Sequence, residues 1–169
     1  QYGGINVIIN NAGITEDNLF MRMSENSWDK VFAINLDASM IICRKFIRGM
    51  VKNKWGRIVN ISSVVASTGN PGQSNYVAAK SALNGLTKSL ALEVATRGVT
   101  VNSISPGFID TAMTAKLTDD QKRKITEKIP MGKMGTGEDI SSLVSFLVSN
   151  EAGYITGQNI HVNGGLFLT

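Results

Sequence analysis

The chain predicts an α/β fold, a parallel sheet with helices on both faces in three layers. Three observations carry that prediction. Short apolar runs, several of them rich in β-branched residues, recur at Ile5–Asn10, Ile58–Ile61, Val99–Ile104 and Asn159–Val162. Helical patterns separate them, over Ser24–Lys52, Ser74–Arg97 and Glu138–Val148. The first three runs end in small or turn-forming residues: Asn11-Ala12-Gly13, Ser62-Ser63 and Ser105-Pro106-Gly107. Strands buried on both faces read as unbroken apolar runs, and alternation with helices at this spacing signals crossover connections between parallel strands. Such sheets place their chemistry at the carboxyl ends of the strands.

Ile5–Asn10 is the first strand, and the small residues after it let a flat ligand approach the backbone, although the same residues also make an ordinary turn. Ser24 is the candidate N-cap of a long helix whose apolar residues Trp28, Val31, Phe32, Leu36 and Met40 recur every three or four positions. Asn35 interrupts that face with a polar group. Lys52, Lys54 and Arg57, around Trp55-Gly56, form a basic turn before the second strand. The next helix opens at Ser74 and ends at Arg97-Gly98, with glycine in the C-cap position. Its Ala78, Ala79 and Ala82 are small enough for close packing against a sheet or a second subunit. Pro106, lacking an N–H, ends the third strand. Ala115–Pro130 is polar and basic and reads as a short helix over the substrate, a lid. Gly132–Gly137 is glycine-rich, but no apolar strand precedes it, so it is a loop into the last helix, capped by Thr136 with Asp139 three residues on.

Ser63, Tyr76 and Lys80 carry the chemistry. Tyr76 and Lys80 are four apart and share one helix face, and Ser63 stands thirteen residues before the tyrosine at a strand end. A phenol has a reference pKa near 10, and a neighbouring ammonium favours its ionised form. A serine hydroxyl can hold a substrate oxygen beside that phenol. The three together make an acid/base device for a carbonyl or alcohol. Tyr-x-x-x-Lys alone also describes an ordinary helix-surface pair, so the weight falls on the combination with Ser63.

Composition narrows the alternatives. The 169 residues suit one domain, and 43% hydrophobic with 18% charged is ordinary for a globular protein. No apolar run reaches the ~20 residues that span a bilayer, and QYGGINV lacks the basic-then-apolar pattern of a signal peptide. The single cysteine, Cys43, excludes an internal disulfide, and with one histidine, His161, no His/Cys metal cluster is expected. A Ser-His-Asp hydrolase would depend on His161 alone, and no G-x-S-x-G turn is present. The net charge of +4, without a basic block, gives no nucleic-acid signature and suits an acidic protein partner.

Ser63, Tyr76 and Lys80 resemble the catalytic set of the classical short-chain dehydrogenase/reductases. Asn10-Asn11-Ala12-Gly13 resembles that family's N-N-A-G motif, Asn35 matches its fourth catalytic position, and Pro106-Gly107 resembles its P-G motif. The tail, Tyr154–Gln158 with Val162-Asn163-Gly164-Gly165, resembles that of the bacterial 3-oxoacyl-[acyl-carrier-protein] reductases. The resemblance runs from Gln1 to Thr169 and implies a Rossmann-type doubly wound sheet of which this chain is the C-terminal portion. The family's glycine-rich strand–turn–helix is not in the sequence, so the expected reading is an N-terminally truncated, single Rossmann-type domain, prone to aggregate at its first strand.

Function follows from the resemblance as expectation. The activity implied is reduction of a 3-oxoacyl thioester on acyl carrier protein, with NADPH favoured over NADH, in a cytoplasmic homotetramer that engages no membrane or nucleic acid. Cofactor contacts are expected at Asn11, Ala12, Gly13, Tyr76, Lys80, Pro106, Gly107, Ile109 and Thr111, and carrier docking at Lys54 and Arg97; no metal is expected. Asn35 is implied to hold, through its main-chain carbonyl, a water that links Lys80 to solvent. Phe108–Met113 would lie over the nicotinamide. The alternatives are another carbonyl substrate, such as a sugar, steroid or polyketide, and a non-catalytic oligomerisation module.

Overall fold

The computed structural model describes residues 4–111, 114 and 118–168. Its sheet has four parallel strands in sequence order: β1 (Val7–Asn10), β2 (Gly56–Ile61), β3 (Val99–Pro106) and β4 (Asn159–Val162). Register is continuous, with Ile8 opposite Ile58, Ile58 opposite Val101, and Ile104 opposite Ile160. Helices α1 (Glu25–Phe32) and α2 (Ala38–Asn53) lie between β1 and β2; a short α3 (Val65–Thr68) and the long α4 (Ser74–Val94) lie between β2 and β3. Helices α5 (Asp119–Thr126) and α6 (Gly137–Leu147) precede β4.

Alternation along the central strands splits the core into two layers. Ile58, Val99 and Val101 pack with Cys43 and Met50 of α2 and with Ala91 and Val94 of α4. Val59 and Ile104 pack on the other face with Leu147 of α6 and Ala152. The expected three-layer α/β arrangement is therefore present. At the outer strand β1 Ile8 and Asn10 are buried, while Val7 and Ile9 are 39% and 46% exposed.

A polar chain threads the α4-side layer. Asn10 Nδ2 donates to Asn60 Oδ1 at 2.7 Å, Asn60 Nδ2 donates to Thr87 Oγ1 at 2.8 Å, and Thr87 donates to the Leu83 carbonyl at 2.9 Å. Each link satisfies a group whose burial alone costs ~1–3 kcal/mol. A one-residue slip of β1 on β2 would break the chain, so it fixes their register and with it the two strand ends beyond.

The long first helix differs from its expected form. Ser24 caps it as anticipated, accepting from the Ser27 N–H at 3.1 Å. A widened π turn at Ala33–Asp37 then divides α1 from α2. The innermost row is Val31, Asn35, Ser39, Cys43 and Met50, whereas the expected Leu36 and Met40 are only half-buried. A turn of more than 3.6 residues keeps positions four apart in line, and that shifts the inward row by one residue.

The basic turn also differs. Arg57 is 4% exposed; its Nε donates to the Ser149 carbonyl, and its Nη1 to the carbonyls of Gly56 and Gly98. With its guanidinium over the Trp55 ring, it anchors the end of α6 and does not join a basic surface. Lys54 takes a left-handed conformation (φ 53°) as the C-cap of α2. Gly98 (φ 69°) lies so close to it that a Cβ there would meet the Lys54 carbonyl oxygen, and only glycine fits. The Thr136–Asp139 capping box on α6 forms as expected, and Thr118 with Gln121 makes another on α5. Among the described residues no helix is long and apolar enough to cross a membrane, and no three metal-ligating side chains cluster.

Candidate active site

Three strand ends converge at the carboxyl edge of the sheet: Asn11–Gly13 after β1, Ser62-Ser63 after β2, and Pro106–Ile109 at the end of β3. Two main-chain bonds tie the β2 end to that of β3, and the β3 end to β4. The Val64 N–H donates to the Pro106 carbonyl and the Gly107 N–H to the Val162 carbonyl, both at 2.9 Å. Helix α4 begins at the same edge and carries Tyr76 and Lys80 on one face, with Lys80 Nζ 5.7 Å from the centre of the Tyr76 ring. A cavity of about 510 Å³ opens between these elements. Ser63, Gln73 and Tyr76 line one wall; Gly107, Phe108, Ile109 and Thr111 line the other. Ser63, Tyr76, Gly107, Ile109 and Thr111 are thus brought together as expected.

Electrostatics differ from the expectation in one respect. The Tyr76 phenol is pushed above its ordinary value, chiefly by burial; its hydrogen bond with Ser63 pulls it down and the charge of Asp17 pushes it further up. Lys80 does not lower it here, because burial depresses the lysine itself to about 8. Lys80 is 3% exposed, and its Nζ donates to the Ile61 carbonyl at 2.7 Å. Two of its three N–H donors thus have no partner among the described residues.

Asn35 is fully buried in the π turn. Its Nδ2 donates to the carbonyls of Val31 (3.0 Å) and Ile14 (2.9 Å), and its Oδ1 accepts the Ile14 N–H at 3.1 Å. The side chain is thereby committed to holding the segment after Gly13. Gly13 sits directly over it: a Cβ there would lie 2.7 Å from Asn35 Oδ1 and 3.4 Å from Lys80 Nζ. Asn11, Ala12 and Gly13 are all exposed, as a ligand-facing backbone must be.

Polar residues that local pattern did not single out complete the site. Asn75, fully buried, donates to the Glu16 carbonyl at 3.1 Å, and the Asn18 N–H donates to the Gly72 carbonyl at 2.9 Å. The segment after Gly13 is in this way zipped to the loop before Tyr76. Gln73 Nε2 bonds both Asp17 oxygens, at 3.1 and 3.0 Å. On the far wall Gly135 packs against Ile109 and exchanges main-chain bonds with Phe108 and Asp110, so the glycine-rich stretch supports the cavity. Ile125 of α5 also lines the cavity, in keeping with a cover; Ala112, Met113 and residues 115–117 lie outside the described residues.

Lys54 and Arg97 are neighbours, but not of this cavity. They precede β2 and β3, which run parallel in matched register, so the pair stands at the amino edge of the sheet. Six residues of β2 put about 20 Å between that edge and Ser63.

The residues present fit a nicotinamide cofactor's reactive end. The cavity is concave and preformed, with two hydroxyls on one wall and apolar backbone-rich segments on the other. A buried lysine with spare donors stands beneath the exposed Asn11–Gly13 backbone.

Known proteins are similar to this chain over its whole length. The family model described as enoyl-(acyl carrier protein) reductase matches residues 1–167. The chain is 52% identical over 169 residues to the 3-oxoacyl-[acyl-carrier-protein] reductase FabG of Haemophilus influenzae, covering all of this chain and 70% of that protein. It is 52% identical over 164 residues to the FabG of Rickettsia felis, and 53% identical over 163 residues to nodulation protein G of a Rhizobium species. Those alignments cover 97% and 96% of this chain, and 68% and 66% of the relatives, so the chain spans about two thirds of their length. On the family match and these identities, the chain belongs to the short-chain dehydrogenase/reductase family of oxidoreductases.

Proposed function

We propose that this chain is the catalytic portion of an NADPH-dependent reductase that converts 3-oxoacyl thioesters on acyl carrier protein to 3-hydroxyacyl thioesters. The observation that carries the reading is the Ser63–Tyr76 hydroxyl pair in a cavity wall with Lys80 one turn behind, in a chain about half identical to reductases of that name. NADPH, when bound, supplies the hydride.

The chain's own residues do the rest. Ser63 donates to the carbonyl oxygen and holds it beside the phenol. Tyr76 delivers a proton to that oxygen, and its raised pKa keeps it protonated at neutral pH, as an acid must be. Lys80 has donors available for the nicotinamide ribose and for resupplying the proton. Asn35 fixes the Ile14 backbone and leaves its main-chain carbonyl to a relay water. Asn11, Ala12 and Gly13 would border the adenosine side; Pro106, Gly107, Ile109 and Thr111 would border the nicotinamide. The family model's description also names enoyl reduction, but a proton donor placed with a serine suits a carbonyl oxygen better than a carbon–carbon double bond.

Lys54 and Arg97 are the carrier-docking pair in this reading, and the assembly is a homotetramer. A carrier held at the amino edge is about 20 Å from its own chain's cavity, which leaves its acyl arm to reach that cavity or a neighbour's. A cytoplasmic location goes with this function.

The test is consumption of NADPH with acetoacetyl-carrier protein and with a short free thioester. Reduction of both supports the reading; reduction of neither, with the cofactor bound, ends it. The pair Lys54→Glu with Arg97→Glu should raise KM for the carrier-bound substrate about tenfold or more and leave the free thioester's KM within about twofold. Equal effects on both would remove these residues from docking.

A further inference from the structure

The structure assigns Asp17 a selecting role at the cavity mouth, an inference that rests on the reductase reading. Asp17, Asn70 and Gln73 stand in the same wall as Ser63 and Tyr76. Among the described residues lining the cavity, Asp17 is the single charged one; the others are hydroxyl, amide, glycine or apolar. Its carboxylate is held in place, since Gln73 Nε2 reaches both oxygens and Gln73 Oε1 in turn accepts from Asn70 Nδ2 at 2.8 Å. The Gln73 amide nitrogen is turned to the carboxylate. The Lys80 ammonium does not stand in this wall; it is buried and bonded to the Ile61 carbonyl. The field of Asp17 extends to the reacting hydroxyl, because its charge adds to burial in raising the Tyr76 phenol.

A free 3-oxo acid brings a carboxylate within two carbons of the carbonyl that Ser63 and Tyr76 would hold. An ester or thioester of the same acid is neutral there. The chain as a whole carries +4 and would attract anions, yet this cavity mouth carries a fixed negative charge. Asp17 is therefore a specificity-determining residue: it excludes 3-oxo substrates with a free carboxylate and leaves the neutral esters and thioesters. This is discrimination by repulsion, which needs no added contact to the favoured substrate.

The experiment compares kcat/KM for ethyl acetoacetate and for acetoacetate, with NADPH, in the unaltered chain and in Asp17→Asn. Asparagine keeps the shape and still offers Gln73 an acceptor oxygen, so only the charge is removed. The ester-to-acid preference should fall about tenfold in the variant at low salt, and the unaltered chain's preference should shrink as salt rises, because Asp17 is exposed. A preference unchanged in Asp17→Asn, or equal losses on both substrates, would overturn the assignment. Asp17→Ser provides the same comparison should the asparagine variant fail to fold. If the chain reduces neither compound, the thioester assay above decides the reductase reading, and equilibrium binding of the two compounds decides the role of Asp17. Tighter acetoacetate binding in the variant upholds it, and identical binding sinks it.

Discussion

Replacing Tyr76 with phenylalanine lowers kcat for carbonyl reduction by about 10³-fold, within the range expected for loss of a positioned general acid. Phenylalanine fills the same space in the cavity wall and removes one hydroxyl. What is lost is the proton source for the carbonyl oxygen, beside Ser63 in the same wall. Cofactor affinity stays close to the original, because Lys80 and the Asn11–Gly13 backbone are untouched. A steady-state assay with an acetoacetyl thioester, together with a cofactor-binding titration, separates the two effects. A loss of less than about tenfold would take Tyr76 out of the acid role.

Lys80→Met makes the protein more stable at neutral pH while disabling it. The lysine's pKa falls from 10.5 to about 8 on burial, so below pH 8 the folded state holds an ammonium it binds less well than the unfolded chain does. At 1.36 kcal/mol per unit that costs about 3 kcal/mol. Loss of the bond to the Ile61 carbonyl gives back about 1 kcal/mol, which leaves a net gain near 2 kcal/mol at pH 7. Between about pH 8 and 10.5 the unfolded chain binds more protons than the folded one at this site, so the wild-type protein gains stability as pH rises through that window. The methionine variant lacks this contribution, and the two unfolding curves converge toward pH 10. Urea unfolding at pH 7 and pH 10 is the check; a variant less stable than wild type at pH 7 would contradict it.

The strands were legible from their β-branched residues, Ile58, Val59 and Ile61 in one run and Val99, Thr100, Val101 and Ile104 in the other, although Asn60, Asn102 and Ser103 are buried among them. Tyr76 and Lys80 were legible as a pair for a different reason, since helix geometry converts a spacing of four directly into a shared face, and Ser63 by its place just after the end of β2. Asp17 and Gln73 left no such trace. They are 56 residues apart, and no local period links them. Arg57 was misjudged because composition shows a charge and not the three carbonyl oxygens arranged around it. Lys54 and Arg97 come at the starts of neighbouring strands, and only the parallel register shows that they stand at the edge away from Ser63.

The π turn between α1 and α2 holds one residue more than a regular helical turn would. Removing one residue between Ala33 and Asp37 would let the helix run on as α, with Ser39, Cys43 and Met50 still turned to the sheet. What would be lost is local: the widened turn that brings the Asn35 side chain to the Ile14 backbone. The extra residue thus serves the site and not the packing, since Ala33 and Asp37 themselves are exposed.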